Sequence, residues 1–81
     1  MELVNLTEYL VKSVAKNKDA VKVKLFDDTE DTMIIQVLVD ETDMGNVIGH
    51  GGTIANAIRT LVQAASYNHE NKLVRISIDS F

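Results

Sequence analysis

The chain has 81 residues, no cysteine and a formal net charge of −4 at pH 7. Without cysteine it can form no disulfide, thiolate metal site or cysteine nucleophile, and its acidic balance argues against a protein that coats nucleic acid by bulk attraction. No run approaches the roughly 18 apolar residues of a membrane span, and no Pro- or Ser-rich break divides the chain. We therefore expect one cytoplasmic domain over residues 1–81.

The first half of the chain predicts a helix followed by a β-hairpin. Val21, Val23 and Leu25 alternate with polar residues and predict a half-buried strand. The acidic segment 27–31 predicts a hairpin turn, because Asp tolerates turn geometry. Segment 33–39 is β-branched on both faces and predicts a central strand. The helix is expected over about the first sixteen residues, where apolar residues recur at helical spacing, namely Leu3, Val4, Leu6, Leu10, Val11 and Val14.

Two further helices are expected in the second half. A short one covers residues 44–48, with Thr42 or Asp43 as its candidate N-cap. A longer one runs to about Ser66, and a polar loop follows over residues 67–71. The longer helix carries an apolar stripe made of Ile54, Ile58, Leu61, Val62 and Ala65.

The last predicted element is a strand over residues 72–79, where apolar and polar residues alternate again. The element order is then α-β-β-α-α-β, which predicts an α+β two-layer sandwich with helices on one face of a three-stranded sheet. The helical crossover makes the last two strands parallel, so the sheet is mixed. Its helix-free face is expected to carry the polar side chains Lys22, Lys24, Arg75 and Ser77.

A glycine turn lies between the two later helices. It consists of Gly49, His50, Gly51 and Gly52. A glycine-rich turn that leads into a helix presents free backbone N–H groups at the positive end of that helix, which suits an anionic oxygen, phosphate above all. The plainer interpretation is a helix–helix connection that binds nothing.

The residues around this turn resemble the signature of the KH domain. The pattern consists of Val47, Ile48, Gly49, Gly52 and Ile54, with the next apolar anchor at Ile58, and Ile54 lies one place earlier than the strictest spacing. The α-β-β-α-α-β order matches the bacterial, type II arrangement of that family. Segment 57–62 and the short chain look like the KhpA-like family of small single-KH bacterial proteins.

The resemblance implies that the Gly-x-x-Gly loop clamps the backbone of about four unpaired nucleotides. Phosphates would then lie against Gly49, His50, Gly51 and Gly52, with Thr53 and Arg59 as auxiliary contacts. Bases would lie in an apolar groove between the helices and the adjacent strand, to which Ile48, Ile54 and Ile58 contribute. No cofactor is implied.

The resemblance also implies partners. KhpA-like proteins pair with themselves or with a larger KH protein called KhpB, and are described as RNA chaperones or regulators linked to cell elongation and division. The alternative hypothesis is a protein-interaction module that dimerises through the glycine-turn face. The acidic charge and the absence of loop cations favour that alternative.

The chain departs from the family pattern inside the loop. Relatives usually place Arg or Lys at the two variable positions, whereas this chain has His50 and Gly51. Histidine is mostly neutral at pH 7, and the added glycine costs more entropy to order. We expect weaker RNA binding than for a basic loop, and tighter binding as the pH falls.

No enzyme or metal site is expected. His50 and His69 are too few and too far apart in sequence for a metal site. The acidic segment 27–31 lacks the spacing of an EF-hand loop. Neither a Gly-x-Ser-x-Gly elbow nor a Walker loop is present, and no carboxylate stands out as a general acid or base.

Overall fold

The computed structural model describes residues 2–69 and 71–81. The chain folds into helices on one side of a three-stranded sheet, in the predicted order and with the predicted α+β class. The helices are α1 (Leu3–Val14), α2 (Met44–Ile48) and α3 (Thr53–His69), and the strands are β1 (Lys22–Asp28), β2 (Thr32–Val39) and β3 (Leu73–Ser80).

The sheet is mixed, as predicted, with β2 in the centre. β1 pairs with β2 antiparallel, and β3 pairs with β2 parallel. Because α2 and α3 together form the crossover from β2 to β3, the glycine turn and the β1–β2 hairpin lie at opposite ends of the sheet. The register shifts between Leu25 and Asp27, which marks a β-bulge near the hairpin.

The core lies between the helices and one face of the sheet. β2 supplies one side of it through Met33, Ile35, Val37 and Val39, and α1 and α3 supply the other through residues such as Val11, Ile58 and Val62. The opposite face of the sheet is free of helices. It exposes the four polar side chains expected there, Lys22, Lys24, Arg75 and Ser77.

α1 ends two residues earlier than predicted, at Val14. Ala15 is extended, with φ −79° and ψ 142°. The next two backbone N–H groups, those of Lys16 and Asn17, donate to the carboxylate of Asp43 at 2.9 and 2.8 Å. The helix ends at Val14 because these donors bind a distant carboxylate instead of continuing the helix.

Asp43 lies at the N-cap position of α2, one of the two candidates predicted for it, but its carboxylate binds the N–H groups of Lys16 and Asn17 instead of capping the helix. Asp40 accepts from the N–H of Thr42 at 3.1 Å and caps a 3₁₀ turn that precedes α2. Asp43 is 1% exposed and makes no side-chain cap of α2. The backbone N–H of Lys16, the side-chain amide of Asn46 and the backbone N–H of Asn17 lower the pKa of Asp43 to about 2.

α3 extends to His69, so Tyr67, Asn68 and His69 are helical rather than part of the predicted loop. Glu70 lies outside the described residues. Asn71 has a left-handed φ of 55°, and its N–H donates to the carbonyl of Ser66 at 2.6 Å. Such a left-handed residue ends a helix, and here it turns the chain towards β3.

None of the helices in residues 2–69 and 71–81 combines the length and apolar character needed to cross a membrane.

Candidate functional site

The glycine turn joins α2 to α3 at the end of the sheet where β2 stops. Gly49, Gly51 and Gly52 all have positive φ values, of 80°, 65° and 82°. Side chains with a Cβ atom rarely adopt such values. The turn therefore depends on glycine at three of its four positions.

Gly49 is the most constrained of these glycines. Its ψ of 177° adds to the positive φ and places it in a conformation that is essentially restricted to glycine. A Cβ atom at Gly49 would lie 2.5 Å from Ile54 Cγ1 and 2.8 Å from Ile54 N, whereas one at Gly51 would meet nothing within 4 Å. The turn thus folds back against the first residues of α3, and only glycine fits at the contact.

The turn uses some of its backbone N–H groups and leaves others unpaired. Those of Gly49, Gly52 and Thr53 donate to carbonyls three or four residues earlier. In the described part of the chain, the N–H groups of His50 and Gly51 donate no hydrogen bond. Both residues are exposed, so the turn presents two unpaired donors where the 17-residue α3 begins.

The apolar residues beside the turn differ in exposure. Ile48 and Ile54 are half-buried, and Ile54 packs against the core. Ile58 is only 4% exposed, so the prediction that it lines a groove is wrong. Its position on the α3 stripe points it inwards, between the helix and the sheet. Thr53 is exposed as the first residue of α3.

Arg59 lies further along α3, about 9 Å along the helix axis from Thr53. Its Nε donates to the carbonyl of Ile76 at 3.4 Å, and Nη1 donates to Asn56 Oδ1 at 3.3 Å. These bonds hold the side chain against the outer edge of β3 rather than over the glycine turn. Two of the five guanidinium N–H groups are engaged, and the residue remains exposed.

A depression lies between α3 and β3, where the resemblance implied a groove between helices and strand, but its lining residues were not predicted. It has a volume of about 460 Å³, and Arg59, Gln63, Tyr67 and Val74 are among its lining residues. The sequence analysis placed Tyr67 in a loop, so this wall of the depression was missed. The four-residue spacing of Arg59, Gln63 and Tyr67 along one helix face would have indicated it.

Neither a metal site nor a large apolar patch lies at the glycine turn. No group of three or more His, Asp or Glu side chains in the described residues is placed to hold a metal ion. The large exposed apolar side chains of the described residues all lie outside segment 48–54. They include Leu61 and Tyr67 on α3 and Phe26 on β1.

Comparison with known families agrees with this geometry. A sequence profile described as the KhpA/KhpB KH domain matches residues 4–78, which is nearly the whole chain. The chain belongs to the KhpA/KhpB KH-domain family. The glycine turn is the Gly-x-x-Gly loop of this KH domain, and the α-β-β-α-α-β order is the type II arrangement that the sequence predicted.

Several members of the KhpA/KhpB family resemble the chain over most of their length. The RNA-binding protein KhpA of Borreliella burgdorferi is 36% identical over 75 residues, which cover 93% of this chain and 89% of the relative. KhpA of Caldanaerobacter subterraneus is 44% identical over 69 residues, which cover 80% of this chain and 91% of the relative. KhpA of Streptococcus pneumoniae is 39% identical over 75 residues, covering 93% and 91%.

Solved structures share the fold of this KH domain at low identity. The chain aligns with Aquifex aeolicus Era bound to GDP and AlF4− with a TM-score of 0.77 and 10% identity, over 98% of this chain and 30% of Era. Era in complex with MgGDPNP and part of 16S ribosomal RNA aligns with a TM-score of 0.70 and 12% identity, over 96% of this chain and 29% of Era. The likeness concerns the fold alone, and the chain spans under a third of Era.

Proposed function

We propose that this KhpA-type chain is a single KH domain that binds single-stranded RNA without catalysis, holding phosphate oxygens in the glycine turn. The observation that carries the proposal is the pair of exposed, unpaired N–H groups of His50 and Gly51. Anionic oxygens bind at helix N-termini because backbone donors and the helix dipole act together there. The relatives' name, RNA-binding protein KhpA, supports RNA phosphate as the anion.

The residues around the turn extend this binding surface. Gly49 and Gly52 keep the turn open to the phosphate, and Thr53 offers a hydroxyl at the start of α3. Ile48 and Ile54 present partly exposed apolar surface beside the loop, against which a base can pack. Arg59 supplies a cation further along α3.

The exposure pattern speaks against the glycine turn as a protein-docking face. Such faces are rich in large exposed apolar side chains. In the described chain, the large exposed apolar residues lie elsewhere. An exposed turn with free polar donors suits phosphate better than an apolar protein surface.

The decisive experiment compares native protein with the double variant His50→Asp/Gly51→Asp. Fluorescence anisotropy at low salt would report binding to a short unstructured RNA. Two carboxylates in the loop repel phosphate, so we expect affinity to fall by at least about tenfold. For native protein, a plot of the logarithm of the binding constant against the logarithm of the salt concentration should have a shallow slope of about −0.7 to −1.4. This slope corresponds to one or two phosphate contacts.

A matched control adds the same two charges at the other end of the molecule, as Asn5→Asp/Thr29→Asp. Asp suits the first position of a β-turn such as the one Thr29 occupies. Circular dichroism should show that all three proteins fold. Equal affinities of the two double variants would contradict the clamp, and no binding by native protein would overturn RNA binding altogether.

Because the loop contains His50, we predict that RNA affinity depends on pH. A protonated histidine side chain is a cation, so His50 in that form would attract phosphate. We expect RNA affinity to rise by a few-fold between pH 7.5 and 5.5, and the rise to disappear in His50→Gln. A native affinity that does not change over this range would show that His50 does not reach phosphate.

We further propose that the protein acts in the cytoplasm and pairs with a second KH domain, in a copy of itself or in a KhpB-like protein. Leu61, 54% exposed on α3, supports a pairing surface. It lies on the flank of α3 opposite to Arg59, so pairing there would leave the β3 side of the helix accessible. Light scattering distinguishes a monomer from a homodimer.

A further inference from the structure

The helix-free face of the sheet carries cations that take no part in the glycine turn. Lys22 and Lys24 lie on β1 and Arg75 lies on β3, and all three side chains are exposed. The salt bridges among the described residues involve other cations, so these three charges have no carboxylate partner there. Unpaired cations on one face are notable in a chain whose net charge is −4.

The strand register places these cations around a shallow depression. Lys24 pairs with Gln36, and Gln36 pairs with Ser77. One row along, Ile34 pairs with Arg75. Paired residues of neighbouring strands lie side by side on the same face of a sheet. We call the space between them the sheet-face depression; it has a volume of about 230 Å³ and is lined by Phe26, Ile34, Gln36 and Ser77.

Phe26 supplies an aromatic ring to this depression. It lies at the β-bulge, where the register shifts between Leu25 and Asp27, and bulges commonly re-aim a side chain. Phe26 is 66% exposed, so most of its surface is open to a ligand. Pockets for drug-sized ligands occupy roughly 300–1,000 Å³. The smaller sheet-face depression therefore suits one flat group, such as a nucleic-acid base, laid against the ring.

The polar residues of the depression have free hydrogen-bonding groups. Gln36 is half-buried in the central strand and Ser77 is exposed beside it. Neither side chain makes a hydrogen bond with the described residues. An amide both donates and accepts hydrogen bonds, so Gln36 can contact the edge of a base that packs on Phe26.

The charges of this face lie on two diagonals. Asp27 and Asp79 occupy opposite corners, and each accepts a hydrogen bond from the N–H of the next residue, at 3.0 and 2.8 Å. The cations occupy the other diagonal, with Lys22 and Lys24 separated from Arg75 by two strand spacings, about 10 Å. An anionic strand along this diagonal would meet a cation at each end and pass over the sheet-face depression.

We infer that the helix-free face is a second site for single-stranded RNA, in which a base stacks on Phe26 while Lys22 and Lys24 contact phosphates. An exposed aromatic ring among cations suits such a strand, because stacking and phosphate contacts act together. The glycine turn belongs to the helical layer, so the two sites would hold separate RNA segments. The inference shares its ligand with the proposed function but none of its residues.

The first test observes the sheet face without the glycine turn. Decauridylate is titrated at low salt into the loop variant His50→Asp/Gly51→Asp, and binding is followed by NMR. The amide signals of Gln36 and Ser77 and the ring signals of Phe26 should shift. In native protein, signals of the glycine turn should shift as well. An abasic oligomer of the same length should leave the Phe26 ring signals in place, because it has no base to stack.

The second test measures the contribution of the aromatic ring. In the loop variant, Phe26→Ala should weaken decauridylate binding roughly five- to hundredfold, and Phe26→Tyr should bind within about twofold of the loop variant itself. Tyr9→Ala is the matched control, since Tyr9 is also 66% exposed but lies on α1. Circular dichroism should show that each variant folds.

The third test measures the contribution of the cations. In the loop variant, Lys22→Gln/Lys24→Gln should weaken binding and make the salt slope shallower by about 1.4, which is the loss of two contacts to a single strand. Lys12→Gln/Lys16→Gln removes the same charge from α1 and the residues after it. Equal losses in the two double variants would show that only net charge matters, and would overturn the inference.

The outcomes separate this inference from the proposed function. If RNA shifts the turn signals of native protein but not the sheet-face signals, the second site is wrong and the clamp stands. If RNA shifts the sheet-face signals in both proteins and never the turn signals, the clamp fails and the second site stands. If native protein binds no RNA, both fail. If Phe26→Ala changes the mass measured by light scattering and RNA leaves the sheet-face signals in place, the face binds a second copy and the inference is overturned.

Discussion

Replacing Gly49 with alanine should destabilise the protein by about 2–6 kcal/mol. The backbone conformation, with φ 80° and ψ 177°, costs on the order of 1–3 kcal/mol for a residue with a Cβ atom. The new methyl group would also lie 2.8 Å from the backbone nitrogen of Ile54, and relieving such an overlap costs about 1–3 kcal/mol more. Because a chain of this length has only roughly 4–12 kcal/mol of stability, thermal unfolding should shift down by roughly 15–30 °C.

Two other glycines provide controls of graded severity. Gly45 lies in α2 with nothing within 4 Å of an added Cβ atom, so Gly45→Ala should be neutral or stabilising by up to about 1 kcal/mol. Gly51→Ala meets no neighbour but has a φ of 65°, and should cost about 1–2 kcal/mol. In melting experiments, the loss of stability should therefore increase from Gly45→Ala to Gly51→Ala to Gly49→Ala, and this order tests the geometry of the turn. A Gly49→Ala protein that melts within a few degrees of native would contradict it.

Asp43→Asn should lower the melting temperature at pH 7 on the order of 10 °C. The carboxylate is buried and accepts from the N–H groups of Lys16 and Asn17 and from the amide of Asn46. An asparagine offers only one oxygen to these donors, and its NH₂ group would face a backbone N–H. The substitution therefore loses the link between the end of α1 and the start of α2.

The lowered pKa of Asp43 predicts that the protein loses part of its stability in acid. Its pKa is lowered from the ordinary value of 3.8 to about 2, so the ionised form stabilises the folded state above pH 4. This contribution is lost as the pH falls towards 2. The melting temperature of native protein should fall over this range. In Asp43→Asn the fall should be smaller, because the contribution from ionised Asp43 is already absent.

Asp40→Asn is the matched control for Asp43→Asn. Asp40 caps the 3₁₀ turn by accepting from the N–H of Thr42, and asparagine caps as well as aspartate does. Its melting temperature should stay within a few degrees of native at every pH. If the two variants behaved alike, the acceptor role assigned to Asp43 would be wrong.

The helices, the strands and their order could be predicted from the sequence because each depends on local pattern. Alternating residues in β1 and β3, β-branched residues in β2 and the apolar stripe of α3 are all visible within short windows. The parallel pairing of β2 with β3 followed from the length of the crossover. The position of the glycine turn was equally clear, since Gly49, Gly51 and Gly52 stand between two apolar segments.

The errors arose where a distant contact overrides a local preference. Asp43 has the chemistry of a helix cap, but donors from Lys16 and Asn17, more than 25 residues away in sequence, occupy its carboxylate. The same contact ends α1 early. Residues 67–69 are polar and so suggested a loop, yet they remain helical until Asn71 turns the chain.

The sequence by itself determined the fold class, the element order and the glycine turn, because periodicity and glycine conformational freedom are local properties. Tertiary structure alone decided how the site is assembled. It buried Ile58, placed Arg59 against the carbonyl of Ile76 and left a depression beside Tyr67. Which face of α3 meets β3 depends on packing between segments far apart in the chain, and no short window of sequence contains that information.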